Sequence, residues 1–66
     1  MRPGRLTDGP GAGTVDLARS LGRYGEVPRE DVASVLLAML DADNTVRETY
    51  ELLGGAVAVE EAVRAL

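Results

Sequence analysis

The fold of this 66-residue chain is decided by the sequence PREDVASVLLAML, residues 28–40. Apolar side chains recur there every three or four residues, which is the spacing of one face of an α-helix. The leading proline suits a first helical turn, and Glu30 and Asp31 lie near the positive end of the helix dipole. The sequence Asp-Ala-Asp-Asn at 41–44 favours a stop. The spacing therefore predicts a helix over about 28–42.

The apolar stripe of this helix has two open interpretations. It consists of Val32, Val35, Leu36, Met39 and Leu40. A chain of this length buries only about 60% of its unfolded surface and has little else to cover such a stripe. With no cysteine or histidine, the sequence offers no disulfide and no thiolate or imidazole metal ligand. The stripe is therefore either a core face or an interaction face, and we expect self-association or a partner protein.

Two further elements follow the helix. Residues 46–53 alternate between two faces of an extended segment, and Gly54 and Gly55 end it, so we predict a strand over about 46–53. Val59, Ala62, Val63 and Leu66 then share one helical stripe, with acidic residues in the first turn. The pattern predicts a closing helix over about 58–66.

The region before the first helix is less regular. Residues 1–13 hold four glycines and two prolines, a composition that predicts a flexible loop. Residues 14–66 form the second predicted segment of the chain. Residues 14–18 alternate apolar and polar side chains, and 24–27 reads as a second extended piece. The sequence predicts a weak extended pair here, while a helix over 15–21 stays open as the alternative.

Composition argues against two classes of binding partner. The net charge is −4, and the seven basic residues, all arginine, are scattered along the chain. Phosphate backbones require a concentrated basic face, so we expect no nucleic-acid binding. No run of about 18 apolar residues exists, so we expect no membrane span, and the cytoplasm is the expected compartment.

Four short sequence motifs resemble those of a known protein family. They are Arg2-Pro3-Gly4-Arg5-Leu6, Val27-Pro28-Arg29-Glu30-Asp31-Val32-Ala33, Tyr50-Glu51-Leu52-Leu53-Gly54-Gly55 and Val59-Glu60-Glu61-Ala62. In this order and spacing they are similar to the C-terminal segment of atypical short-chain dehydrogenase/reductases, the NAD(P)H-binding or NmrA-like branch. The resemblance implies an α/β fold that is a partial Rossmann-like fragment, with NAD(P) as the cofactor of the family.

The resemblance also shows what these residues lack. A working family member resembles a doubly wound fold with a Gly-x-x-Gly-x-x-Gly fingerprint, and the glycines at 9–13 have a different spacing. The family's Tyr-x-x-x-Lys pair is missing, because the chain has no lysine. The resemblance places only Pro3 and Gly4 near a nicotinamide, through backbone contacts. We therefore predict no catalytic residue, no metal ligand and no cofactor for the isolated chain.

Other candidate residues have simpler interpretations. Arg29 and Asp31 could form a functional pair, but we favour Asp31 as a stabiliser of the helix start with Arg29 packed over it. Tyr24 and Tyr50 lack a neighbouring lysine or histidine in sequence, and Tyr50 is better interpreted as core. The acidic residues between 26 and 43 lack the spacing of a calcium loop and are interpreted as solvated surface.

These observations favour a truncated dehydrogenase-like chain without catalysis of its own, acting through self-association or a partner. The alternative is the C-terminal part of an NAD(P)-dependent oxidoreductase whose nucleotide-binding part is supplied elsewhere. A small stand-alone enzyme or ligand-binding protein is a third, lower-ranked hypothesis.

Overall fold

The computed structural model describes residues 1–40 and 49–66, which form an α/β fold. The described helices and strands follow in this order: β1 Arg2–Pro3, β2 Arg5–Thr7, β3 Thr14–Ala18, β4 Glu26–Pro28, α1 Arg29–Leu40, β5 Glu51–Gly54, β6 Val57–Ala58 and α2 Val59–Arg64. None of the helices in these two ranges has the length and apolar character needed to cross a membrane.

The strands of the described residues form two sheets. The larger sheet has the order β1-β5-β3-β6, in which β1 is parallel to β5 while β3 is antiparallel to both β5 and β6. Strands β2 and β4 form a separate parallel pair, with Leu6 opposite Val27. Across the larger sheet, Leu17 of β3 lies opposite Leu52 of β5. Strand β5 therefore lies between β1 and β3 in the larger sheet.

The core lies between the sheets and the two helices. Helix α1 contacts α2 and β4, and α2 packs against β3. Among the described residues, seven buried apolar side chains form one cluster: Val15, Val27, Val35, Leu52, Val59, Ala62 and Val63. Small branched side chains thus supply most of this core, as expected for a chain with two tyrosines as its only aromatic residues.

Both predicted helices are confirmed, with small differences at their ends. Helix α1 begins at Arg29, because Pro28 ends β4 and lies opposite Thr7 of β2. Residues 41–42 of the predicted helix lie outside the described residues. Helix α2 covers Val59–Arg64, and Ala58 belongs to β6.

The predicted stripe of α1 is divided between core and surface. Val35 is fully buried, and Val32 and Met39 pack against the core. Leu36 and Leu40 are exposed by 47% and 82%. The five residues therefore differ in their surroundings, because the core covers only one side of the helix. Their role as an interaction face stays a prediction.

The prediction of loop over residues 1–13 is wrong for Arg2–Pro3 and Arg5–Thr7, which form β1 and β2. Pairing with distant strands supplies hydrogen bonds that local composition cannot reveal. The N–H groups of Arg2 and Gly4 donate to the carbonyls of Tyr50 and Leu52, at 2.7 and 2.8 Å. Pro3 lies between these donors, so its missing N–H costs no bond to β5.

The other strand predictions are confirmed in part. Strand β3 has the predicted bounds of 14–18, and β4 forms close to the predicted 24–27. The two strands lie in different sheets, so they are not partners of each other. Strand β5 starts at Glu51, later than predicted, and residues 46–48 lie outside the described residues. Tyr50 is buried, which confirms its assignment to the core.

Candidate functional site

An open groove of about 630 Å³ lies beside the first two strands. One wall is formed by residues 2–5, which span β1 and the start of β2, and the other by residues 23–26, which end at the start of β4. Glu51 and Leu53 of β5 complete the lining. The groove therefore combines three segments that are far apart in sequence.

Backbone hydrogen bonds hold the two walls in place. The bonds to Tyr50 and Leu52 attach residues 2–4 to β5, and the N–H of Arg5 donates to the carbonyl of Gly25 at 3.0 Å. Pro3 is exposed and Gly4 is partly buried, and both line the groove. The structure thus places the two predicted cofactor-contacting residues together, while the contact with a cofactor stays a prediction.

Gly4 is the point of closest approach between the walls. A Cβ at this position would lie 2.5 Å from the carbonyl oxygen of Gly25 and would overlap the side chain of Leu53. Real Cβ atoms do not approach backbone oxygens this closely, so a larger residue would push the walls apart. Glycine at position 4 is therefore needed for the shape of the groove.

We expect Gly4→Ala to destabilise the protein by about 1–3 kcal/mol, because the new methyl group overpacks a site bounded by backbone. Urea-induced unfolding followed by far-UV circular dichroism measures the change. Gly9→Ala is the matched control, since nothing lies within 4 Å of its added Cβ. Equal losses for the two variants would contradict the close approach at Gly4.

Charged side chains of both signs line the groove. Arg2 lies opposite Glu51 across β1 and β5, and Arg5 lies opposite Glu26 across β2 and β4. One oxygen of Glu51 accepts the N–H of Leu21 at 2.8 Å. The groove therefore offers cationic donors beside carboxylate acceptors.

The third arginine of the groove has a carboxylate partner. Arg23 lines the groove and forms an ion pair with Asp16 of β3. Both side chains of this pair are partly exposed, by 47% and 34%. Screening by solvent keeps such a pair weak, so it orients the guanidinium more than it stabilises the fold.

Tyr24 lies at the rim of the groove, and its side chain is fully exposed. The segment that carries it turns at Gly22, whose φ of 66° falls in the left-handed region that glycine tolerates best. Sequence reasoning assigned no site role to Tyr24, and the glycines on either side of it were the only local signal. This ring is an exposed aromatic surface next to the arginines.

The predicted arrangement of Arg29 over Asp31 is wrong. Nε of Arg29 donates to Asp8 at 2.7 Å, while Asp31 is 2% exposed and accepts the N–H groups of Ala12 and Gly13 at 3.0 and 2.9 Å. Both acceptor bonds join the first turn of α1 to the loop before β3. Asp31 therefore holds the loop before β3 by hydrogen bonds. Its carboxylate also lies near the positive end of the helix dipole, which is favourable.

The acidic residues that the structure describes do not gather into a site for a cation. Within residues 1–40 and 49–66, no three histidine, cysteine or carboxylate side chains are placed to share a metal ion. Asp41 and Asp43, which belonged to the acidic set considered from sequence, lie outside those ranges. The groove around Gly4 is thus the candidate site that the geometry favours.

Comparison with known proteins places this geometry in a wider context. No family model matches the sequence. Over its full length the chain is 41% identical to an uncharacterized sugar epimerase, YhfK, of Bacillus subtilis, of which it covers 30%. A similar solved structure is a putative NAD-dependent epimerase/dehydratase from Bacillus halodurans, with a TM-score of 0.93 and 29% identity over 98% of this chain and 31% of that structure.

A second solved structure agrees at the level of fold. The oxidoreductase YlbE from Lactococcus lactis gives a TM-score of 0.81 with 23% identity, over 97% of this chain and 28% of that one. The fold is therefore part of a Rossmann-like α/β fold, and the chain spans about three-tenths of the length of the proteins it matches. These matches support an NAD(P)-binding epimerase or oxidoreductase lineage. The narrower NmrA-like assignment stays a prediction.

Proposed function

We propose that this chain forms one wall of the site of an NAD(P)-dependent epimerase or oxidoreductase, and that it works with a nucleotide-binding part that carries the glycine fingerprint. The position of the groove supports this proposal. Gly4 and Arg5 follow the carboxyl end of β1, which is parallel to β5. Ligands of open α/β sheets bind beside the carboxyl ends of the strands.

In this proposal Pro3 and Gly4 present backbone atoms to the nicotinamide end of the cofactor. Their own positions are fixed by bonds on both sides, from the N–H of Arg2 to Tyr50 and from the N–H of Arg5 to Gly25. A wall fixed in this way can orient a ring without a flexible side chain. The chemistry of hydride transfer would be supplied by the cofactor, and this chain contributes position.

A second surface supports association with the remaining part of such a protein. Leu36, Leu37 and Leu40 of α1 are exposed by 47%, 65% and 82%, and we call this set the α1 surface. Within the described residues, β1 pairs on one side only, with β5. The matched relatives are more than three times as long as this chain, so their remaining residues are the natural occupant of these surfaces.

The same α1 surface supports a second candidate function, self-association of this chain without catalysis. Three exposed leucines within five residues form a contiguous apolar area, which is typical of protein contacts. A symmetric dimer through this surface would bury the same residues in both copies. The two candidates differ in what covers the leucines, and one experiment separates them.

We expect the double variant Leu36→Glu, Leu40→Glu to weaken association by at least about tenfold, because two charges replace apolar area that would be buried. Sedimentation velocity measures the binding of this chain to the complementary seven-tenths of the Bacillus halodurans protein, and of this chain to itself. Ala56→Glu is the control, since Ala56 is exposed in the turn between β5 and β6.

The outcomes of this experiment distinguish the two candidate functions. If the wild-type chain binds the complementary part and the double variant does not, the result supports the proposal that this chain forms one wall of the site. If the wild-type chain dimerises and the double variant does not, the result supports the second candidate. If the wild-type chain binds neither, or if Ala56→Glu weakens association equally, both proposals are contradicted.

A further inference from the structure

We infer that the groove binds an organic anion that carries a ring, with Arg2 and Arg5 holding the anionic group and Tyr24 stacking on the ring. The inference rests on the groove of the proposed function, and it names the class of ligand that the groove takes. It does not require the complementary part to be bound.

The arginines of the groove are the first observation. Three of the seven arginines of a chain with net charge −4 line this one groove. Arg23 is engaged by Asp16, but within the described residues neither Arg2 nor Arg5 has a carboxylate within ion-pair distance. Both residues are exposed.

Among the described residues, the neighbouring glutamates form no ion pair with these arginines. Glu51 is the cross-strand neighbour of Arg2, yet its carboxylate accepts the backbone N–H of Leu21. Glu26 is the cross-strand neighbour of Arg5, and it is exposed to solvent without an ion pair among the described residues. An anion that bridges the two guanidinium groups would gain charge-assisted hydrogen bonds from both.

The backbone between the arginines is already ordered. Arg2 and Arg5 flank Pro3 and Gly4, and bonds from the N–H groups of residues 2, 4 and 5 to β5 and Gly25 fix this segment. Planar guanidinium forks on a fixed segment match phosphate and carboxylate geometry better than flexible ammonium groups do. In this inference the two guanidinium groups extend from a fixed backbone segment and hold a compact oxyanion.

Tyr24 supplies the selectivity for a ring. It is fully exposed at the rim of the same groove, and the carbonyl of the next residue, Gly25, accepts the N–H of Arg5. Only one residue, Gly25, therefore separates Tyr24 from the backbone hydrogen bond to Arg5. Stacking of an aromatic pair contributes about two- to tenfold in affinity.

Titration calorimetry at low ionic strength, on the whole protein that carries this sequence, tests the inference with phenyl phosphate, methyl phosphate and benzyl alcohol. We expect phenyl phosphate to bind more tightly than methyl phosphate, and benzyl alcohol not to bind. Arg2→Gln and Arg5→Gln should each weaken phenyl phosphate at least about threefold. Tyr24→Ala should weaken phenyl phosphate to the level of methyl phosphate and leave methyl phosphate unchanged.

Arg64→Gln is the matched control, because Arg64 is exposed on α2 and does not line the groove. Amide resonances of Gly4 and Gly25 should shift during the titration, which locates the ligand. Absence of saturable binding, equal loss with Arg64→Gln, or equal binding of benzyl alcohol would overturn the inference. Phosphate binding without association with the complementary part would leave this inference standing and contradict only the proposed function.

Discussion

Leu52→Ala is expected to lower the free energy of unfolding by about 2–5 kcal/mol. Leu52 is fully buried in β5, opposite Leu17 of β3, and belongs to the main core cluster. Its neighbours are small branched side chains that cannot move far to fill the space, so a cavity remains. A domain of this length has a total stability of only about 3–5 kcal/mol. The loss is therefore large enough to unfold much of the population.

Val57→Ala is the matched control for this substitution. Val57 is also an apolar strand residue, but it lies in β6 at the edge of the sheet and is 42% exposed. Its truncation should cost less than about 1 kcal/mol, because little apolar area returns to water. Urea-induced unfolding measures both variants. A loss at Val57 as large as the loss at Leu52 would contradict the assignment of β5 to the centre of the core.

The helices could be predicted from sequence because their signals are local. In α1, apolar residues repeat with the helical period and acidic residues occupy the first turn, so a window of about 13 residues contains all the information. The division of this stripe between core and surface could not be predicted from local spacing. Val35 and Leu36 both fit the pattern, and only the position of the neighbouring sheet decides which of them is buried.

The first two strands could not be predicted because their hydrogen bonds are not local. β1 pairs with β5 across nearly fifty residues, and β2 pairs with β4 across about twenty. Within residues 1–13 the glycines and prolines are typical of a loop, and no alternation of apolar residues opposes that interpretation. Strand pairing overrides this local preference, since Pro3 lies where β5 requires no donor.

The groove was predictable only in part for the same reason. A family resemblance pointed to Pro3 and Gly4, and the structure places both in the lining. Tyr24 and Glu51 lie about twenty and fifty residues away, and no spacing rule connects them to position 4. Tyr24 and Glu51 reach the groove because β4 and β5 lie beside the first two strands in the fold.

Asp31 connects three elements, and its replacement is the second change with a large expected effect. Its carboxylate accepts the N–H groups of Ala12 and Gly13, and the carbonyl of Gly13 accepts the N–H of Val59 at 3.2 Å. The start of α1 is thereby linked through one loop to the start of α2. Gly13 has a φ of 77°, a left-handed conformation that glycine adopts without strain.

We expect Asp31→Ala to lower the free energy of unfolding by about 2–4 kcal/mol, because two hydrogen bonds to a charged acceptor are lost at a buried position. Asp31→Asn should lose less, about 1–2 kcal/mol, since its amide oxygen can still accept one of the two N–H groups. Thermal unfolding and amide hydrogen exchange measure these changes, and the amides of Ala12 and Gly13 should lose protection first.

Glu30→Gln provides the control at the adjacent position. Glu30 is exposed, and its carboxylate accepts the N–H of Gly11 at 2.8 Å, a bond that the glutamine oxygen can also accept. Its cost should stay below about 1 kcal/mol. If Glu30→Gln and Asp31→Ala destabilise equally, the effect comes from negative charge at the helix start. A selective loss at Asp31 assigns it to the buried link between the loop and the two helices.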